Sequence, residues 1–202
     1  MGNLVDFSDF YFVSWDQYQA VVDDLTQKIK RYSYDNDVSF DFIVPILRGG
    51  GVLSISLSHS LGVLPFFPAQ YKYLRNDDTE EAYKPIKLLS SLDVLKNKSE
   101  EYNILVTEGN HCSGQTAQMC INDIISIIPK AKIYYASITR DYSYTNQMNN
   151  TIYEWWGILT NESKKLNQTQ CDNLSIVNKY TIFPWENAEE EIQEVNDSYS
   201  NY

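Results

Sequence analysis

Short apolar runs alternate with amphipathic stretches over most of this chain. Phe10-Tyr11-Phe12-Val13 is the first run. Behind it Ser14 and Gln17 stand at capping-box spacing, and Tyr18, Val21, Val22, Leu25 and Ile29 recur at helical spacing, which predicts an amphipathic helix. Phe40 to Leu47 has a buried-strand pattern and ends in Arg48-Gly49-Gly50-Gly51; Val52 to Leu61 then reads as a helix closed by Gly62. Val63 to Pro68 is apolar again. Tyr71 to Arg75 and Ile86 to Leu89 are strand-like and flank the polar stretch Asn76 to Lys84, so together they predict a long hairpin. Ile104-Leu105-Val106 reads as another buried strand, Gly109 to Thr116 as a loop of small polar residues, and Ala117 to Ile128 as a helix. Ile133 to Ile138 and Tyr153 to Ile158 are further strands. Gly157 to Lys179 is polar, and Tyr180 to Glu186 is a final aromatic-rich run. Strand–helix alternation between Phe40 and Ile138 predicts an α/β fold: a central parallel sheet with helices on both faces and ligands at the carboxyl ends of its strands.

Two of those strand ends carry chemistry. Gly49 to Gly51 let a backbone approach a ligand closely, and Arg48 adds a fixed positive charge beside them. At the other end Glu108 precedes a loop in which Ser113-Gly114-Gln115-Thr116 leads into a helix. Exposed backbone N–H groups and the helix dipole then favour an anion at the same place. Gly109 to Thr116 also has the spacing of a phosphate-binding P-loop, but Gln115 stands where that loop needs a lysine to neutralise phosphate.

Composition narrows the picture. With 202 residues and 43% hydrophobic content the chain suits one domain, expected over 1–187. The net charge of −11 is uneven: Glu186 to Tyr202 holds six of the 27 acids and neither Lys nor Arg, so 188–202 is expected to be a solvated, disordered acidic tail. Nothing forms the basic footprint of a nucleic-acid binder. No apolar run has the length of a membrane span and the first ten residues are acidic, so a cytoplasmic protein without a membrane partner is expected. Three cysteines at unrelated spacings fit a reducing compartment, and His111, Cys112 and Cys120 do not complete a tetrahedral metal set.

Taken together these motifs resemble the type I phosphoribosyltransferases, in particular the xanthine-guanine and hypoxanthine enzymes. Ile104-Leu105-Val106-Thr107-Glu108 and Ser113-Gly114-Gln115-Thr116 resemble the two ends of that family's phosphoribosyl-pyrophosphate motif. YFVSWDQYQAVVDDLTQKI resembles its N-terminus, RGGGVLSISLSHSLGV its pyrophosphate loop, and Tyr180 to Glu186 its C-terminal aromatic-x-x-x-Pro-Trp-acid motif. The resemblance spans roughly Tyr11 to Glu186 and implies transfer of 5-phosphoribose from phosphoribosyl pyrophosphate to a purine base, with release of pyrophosphate. It implies that Arg48, Gly49 and Gly50 hold pyrophosphate, that Ser113, Gly114, Gln115 and Thr116 hold phosphate, and that Glu108 serves the ribose hydroxyls and Mg²⁺. By the same resemblance Cys112 faces the reacting base, Arg140 (next to Thr139) donates to the purine oxygen, and Tyr180 stacks on the purine. The backbone through Ile182 then reads the base edge. A flexible hood hairpin over 76–84 and a homodimer or homotetramer are implied as well, and 157–179 reads as an insertion.

Two positions depart from the pattern. Gly109 replaces the second acid of the motif, and Cys112 replaces the aspartate before the phosphate-binding hydroxyl residue. Three readings follow: a purine transferase with a weakened ribose grip, a catalytically silent nucleotide or phosphoribosyl-pyrophosphate sensor, or an enzyme acting on a related sugar phosphate.

Overall fold

The computed structural model describes residues 5–74, 84–95 and 101–199. In chain order the elements are β1 (Phe10–Phe12), α1 (Trp15–Asn36), β2 (Phe42–Leu47), α2 (Gly49–Leu61), β3 (Ala69–Leu74), β4 (Lys84–Ser90) and β5 (Asn103–His111). There follow α3 (Gln115–Ile127), β6 (Lys132–Asp141), β7 (Thr151–Thr160), α4 (Gln168–Leu174), β8 (Tyr180–Ile182) and α5 (Ala188–Tyr199). Six strands form one sheet in the order β4-β3-β2-β5-β6-β7; all its pairs are parallel except β3–β4, which are antiparallel. The α/β architecture expected from the alternation is the one observed.

Strand alternation divides the core. Phe42, Val44 and Ile46 of β2, Ile104 and Val106 of β5, and Ile133 and Tyr135 of β6 face the layer that holds α3. Ile43, Leu105, Tyr134, Ala136 and Ile138 point the other way and pack with Tyr18, Val22, Leu25 and Ile29 of α1 and Leu53 and Leu57 of α2. The predicted capping box opens α1: Gln17 N donates to Ser14 Oγ at 3.2 Å, and Ser14 N donates to Gln17 Oε1 at 2.8 Å.

Several boundaries differ from the sequence expectation, each for a physical reason. The helix expected from Val52 begins at Gly49, because its glycine turn slides against β5; a Cβ on Gly50 would lie 2.2 Å from the Thr107 carbonyl oxygen. The strand expected at Ile104–Val106 runs on to His111, since parallel pairing with β6 persists through Asn110–Thr139 and His111–Arg140. Only 112–114 are left to connect it to α3. The final aromatic run is not a strand of the main sheet: β8 pairs in parallel with β1 in a separate two-stranded sheet. The polar segment after β7 folds back on it, with Val177 N donating to the Leu159 carbonyl at 3.0 Å and Asn161 N to the Val177 carbonyl at 2.8 Å. The hood hairpin corresponds to β3–β4, and its polar connection lies outside the described residues.

The expected disordered tail is also corrected. Residues 188–199 form α5, whose Glu189, Glu190 and Glu191 lie in the first turn, where the helix dipole favours negative charge. Asn187 begins it by accepting from Glu189 N at 3.1 Å, and Asn196 exchanges hydrogen bonds with the Val5 backbone at 2.8 and 3.0 Å. Acidity at a helix start stabilises order, an effect that charge counting alone misses. Among the described residues no helix is long and apolar enough to cross a membrane.

One polar feature sits in the core at the carboxyl end of β6. Arg140 is fully buried and paired with Glu154 of β7, while Met148 N and Thr151 Oγ1 donate to the second Glu154 oxygen at 2.8 and 2.7 Å. Removing one partner of a buried pair strands the other charge, at about 3–5 kcal/mol. Glu154→Ala is therefore expected to lower unfolding free energy by about that amount, measured by denaturant titration. A loss below about 1 kcal/mol, the scale of an exposed pair, would show that the guanidinium is not sealed in as described.

Candidate functional site

The carboxyl ends of β2 and β5 meet through backbone. A Cβ on Gly49 would lie 3.2 Å from the Gly109 Cα, and one on Gly109 would lie 3.1 Å from the Gly49 Cα. Gly109, read from sequence as a lost carboxylate, is thus the residue that lets the Arg48 loop close onto β5. Below it Thr107 Oγ1 donates to the Gly50 carbonyl at 3.0 Å. Arg48 precedes α2, is exposed, and makes no salt bridge among the described residues. Its charge acts on Glu186, whose pKa burial pushes up to about 7, with the Phe183 N–H and Arg48 pulling it down and Glu191 and Glu162 pushing it up. The Leu47–Arg48 peptide is cis.

Glu108 is buried. Its carboxylate turns inward, accepting from Tyr135 Oη, whose oxygen also lies 2.9 Å from His111 Nδ1. Burial raises the Glu108 pKa to about 7, against the pull of Tyr135 and Arg140. Burial, with the positive charge of Arg140, lowers that of His111 to about 3, so this imidazole is neutral. Tyr135 was not singled out from sequence, and His111 only as a member of an incomplete metal set. The available signal was periodicity: Tyr135 shares a strand face with Ile133, and a buried acid on the neighbouring strand needs a donor there.

Ser113, Gly114, Gln115 and Thr116 gather at the start of α3, as expected of an anion loop. Gly114 adopts a left-handed φ of 73°, and a Cβ there would meet the His111 ring at 2.7 Å. A cavity of about 300 Å³ opens from this loop, floored by His111 and walled opposite by Tyr144, Asn146 and Met148. Cys112 is exposed, yet desolvation and then the carboxylates of Glu162, Asp141 and Glu108 push its thiol up to about 12, so it is neither a carboxylate substitute nor a thiolate.

The expected base-binding residues are each engaged by other parts of the chain. Arg140 donates to Glu154, to the Tyr144 carbonyl at 2.9 Å and to the Asn146 carbonyl at 2.9 Å, and its guanidinium lies 4.8 Å from the Trp156 ring centroid. It is fully buried among these groups. The Ile182 carbonyl accepts from Val13 N at 2.9 Å. Tyr180 packs against Phe10, and the Lys164 ammonium lies 4.9 Å from its ring centroid. Glu162, which sequence reasoning missed, accepts from Thr181 N and from Asn110 Nδ2 at 3.0 Å each, while Asn110 Oδ1 accepts from Thr139 Oγ1 at 2.9 Å. A Glu in a polar insertion carries no sequence signal of this docking.

Glu108, the expected Mg²⁺ ligand, is engaged in the interior. Among the described residues no group of three His, Cys, Asp or Glu side chains is arranged to hold a metal ion.

No protein-family model matches the sequence, and no curated protein matches it. Solved structures do match the fold. A purine phosphoribosyltransferase from Pyrococcus horikoshii Ot3 superposes with a TM-score of 0.62 at 19% identity, over 89% of this chain and 95% of that one. A hypothetical protein from Neisseria gonorrhoeae with bound ppGpp gives 0.69 at 16% identity, over 95% and 97%. Helicobacter pylori xanthine-guanine-hypoxanthine phosphoribosyltransferase gives 0.57 at 15%, over 92% and 99%. The chain has the type I phosphoribosyltransferase fold.

The inward carboxyl has a consequence for stability. Glu108 holds its proton more tightly when folded than its ordinary value of 4.5, so its contribution is fully present below about pH 4.5 and is lost as pH rises through about 7. Glu108→Gln should remove this slope, making the variant gain on the wild type between pH 5 and 8 by on the order of 3 kcal/mol. Parallel pH–stability curves for the two proteins would contradict the buried placement.

Proposed function

We propose that the chain binds a 5-phosphoribosyl compound, phosphoribosyl pyrophosphate or a purine nucleotide, and that phosphoribosyl transfer on it is slow. The fold supports the ligand class, since two of the similar structures are purine-type phosphoribosyltransferases and the third holds ppGpp. The 113–116 loop supplies hydroxyls and helix-start amides for a phosphate, and Arg48 with the Gly49–Gly51 turn supplies charge and close approach for pyrophosphate. The observation that carries the reading is Glu108. It is the acid the motif retains at the strand end, and it is hydrogen-bonded to Tyr135 rather than turned to a ribose.

The retained Arg48 loop favours a second reading, an active purine transferase. In that reaction the bond from C1 of the ribose to pyrophosphate breaks, and its electron pair leaves with pyrophosphate. A purine ring nitrogen bonds to C1 and gives up its proton. Arg48 would stabilise the departing charge; Mg²⁺, if required, would arrive with the phosphorylated ligand and neutralise the same charge.

Calorimetry with phosphoribosyl pyrophosphate and Mg²⁺, followed by turnover with labelled phosphoribosyl pyrophosphate and a panel of purines, tests both readings. Binding is expected, and Arg48→Ala should weaken it about tenfold or more, because a charge-assisted contact to an anion is worth about 1.5–3 kcal/mol. Turnover should fall at least about 10²-fold below an ordinary 10 s⁻¹, the scale of one missing preorganised contact. Turnover near 10 s⁻¹ would establish the transferase instead. Failure of every phosphorylated ligand to bind would reject both.

A further inference from the structure

Where the family resemblance puts the base, the side chains are engaged with one another. Glu162 takes the Thr181 backbone N–H at 3.0 Å, the Lys164 ammonium stands 4.9 Å from the Tyr180 ring centroid, and Phe10 packs against that ring at 5.5 Å. The residue expected to donate to the base, Arg140, is spent on the 142–148 turn. The cavity of about 300 Å³ begins at the anion loop and runs to that turn, ending on Tyr144, Asn146 and Met148.

We infer that this cavity is the base-binding site, and that a purine nucleotide held by its phosphate at the 113–116 loop stacks its base on Tyr144 rather than on Tyr180. The inference rests on the phosphate-binding reading above. The cavity stands at the lower end of the range for small-molecule pockets, which suits a nucleotide and not a larger ligand. Tyr144 is 39% exposed, so its ring has surface to offer, and its backbone is fixed: the carbonyl accepts from Arg140 Nε at 2.9 Å. The turn is anchored a second time on the other side, where Ser143 N donates to Asp141 at 2.8 Å and Ser143 Oγ lies 2.9 Å from Ser163 Oγ. Asn146, whose carbonyl accepts from Arg140, keeps its amide for polar groups on the base. A stacking ring on a doubly anchored turn loses little freedom on binding, which is what a base platform requires. Arg140 is then a positioning residue: it sets the wall without touching the ligand.

The test compares ribose 5-phosphate with a purine nucleoside 5′-monophosphate by calorimetry on the full chain. In the wild type the nucleotide should bind about fivefold or more tightly than ribose 5-phosphate, the gain expected from base–aromatic stacking. Tyr144→Ala should erase that ratio while leaving ribose 5-phosphate binding in place; Tyr144→Phe should keep it, and so should Tyr180→Ala. Retained ribose 5-phosphate affinity serves as the check that each variant is folded. A ratio lost in Tyr180→Ala and kept in Tyr144→Ala would overturn the inference and leave the phosphate-binding reading standing. So would a wild type that binds the two ligands equally. Binding of neither ligand to the wild type would overturn both.

Discussion

A guanidinium enclosed by protein has to find acceptors for its N–H groups inside the fold, and much of this site follows from where Arg140 finds them. It takes one carboxylate oxygen from β7 and two carbonyls from the turn that follows β6. The turn is therefore pulled over the end of the sheet and becomes a wall. The same buried charge acts through the low-dielectric interior on Glu108 and His111, favouring ionisation of the first and opposing protonation of the second. Desolvation still outweighs it at Glu108, so the acid titrates near neutrality rather than as an ordinary carboxylate.

What could be read from residues alone was mostly backbone. The order of strands and helices and the Ser14 capping box stand where apolar periodicity and local chemistry put them, and the Arg48 and 113–116 segments both lead into helices as expected. These features depend on neighbours within a turn or two, and short-range physics governs them. The direction of polar side chains was not legible. Whether Glu108 faces a ligand or the core depends on Tyr135, a residue on the adjacent strand, and whether Thr181 offers its N–H depends on Glu162 in a distant insertion. Gly109 illustrates the difference: counted by motif it is an acid lost, but in the fold it is the clearance that lets two strand ends touch. The helix at 188–199 was hidden for a related reason. Net charge describes repulsion within the segment and ignores both the helix dipole and the Asn196–Val5 exchange.

The three solved structures share the sheet and differ from this chain at more than four residues in five. What persists across such distance is layer architecture and the carboxyl-end site it creates. The side chains at those strand ends are free to vary; here Gly109 and Cys112 follow Glu108, and Tyr180 packs on Phe10.

The pairing of β1 with β8 has a bearing on how the molecule comes into being. Phe10–Phe12 is synthesised some 170 residues before Tyr180–Ile182, yet they form one ladder. The main sheet, completed by β7, can assemble before the β8 segment has been made; the small sheet cannot. During that interval Phe10 and Val13, both buried in the finished fold, lack the β8 segment they pack against. Such a long-range closure is slow by its loop entropy and leaves sticky surface exposed while it waits. A chain halted before Tyr180 would carry the anion loop and the Arg48 turn, but with an uncovered N-terminal strand that invites association with other unfinished chains.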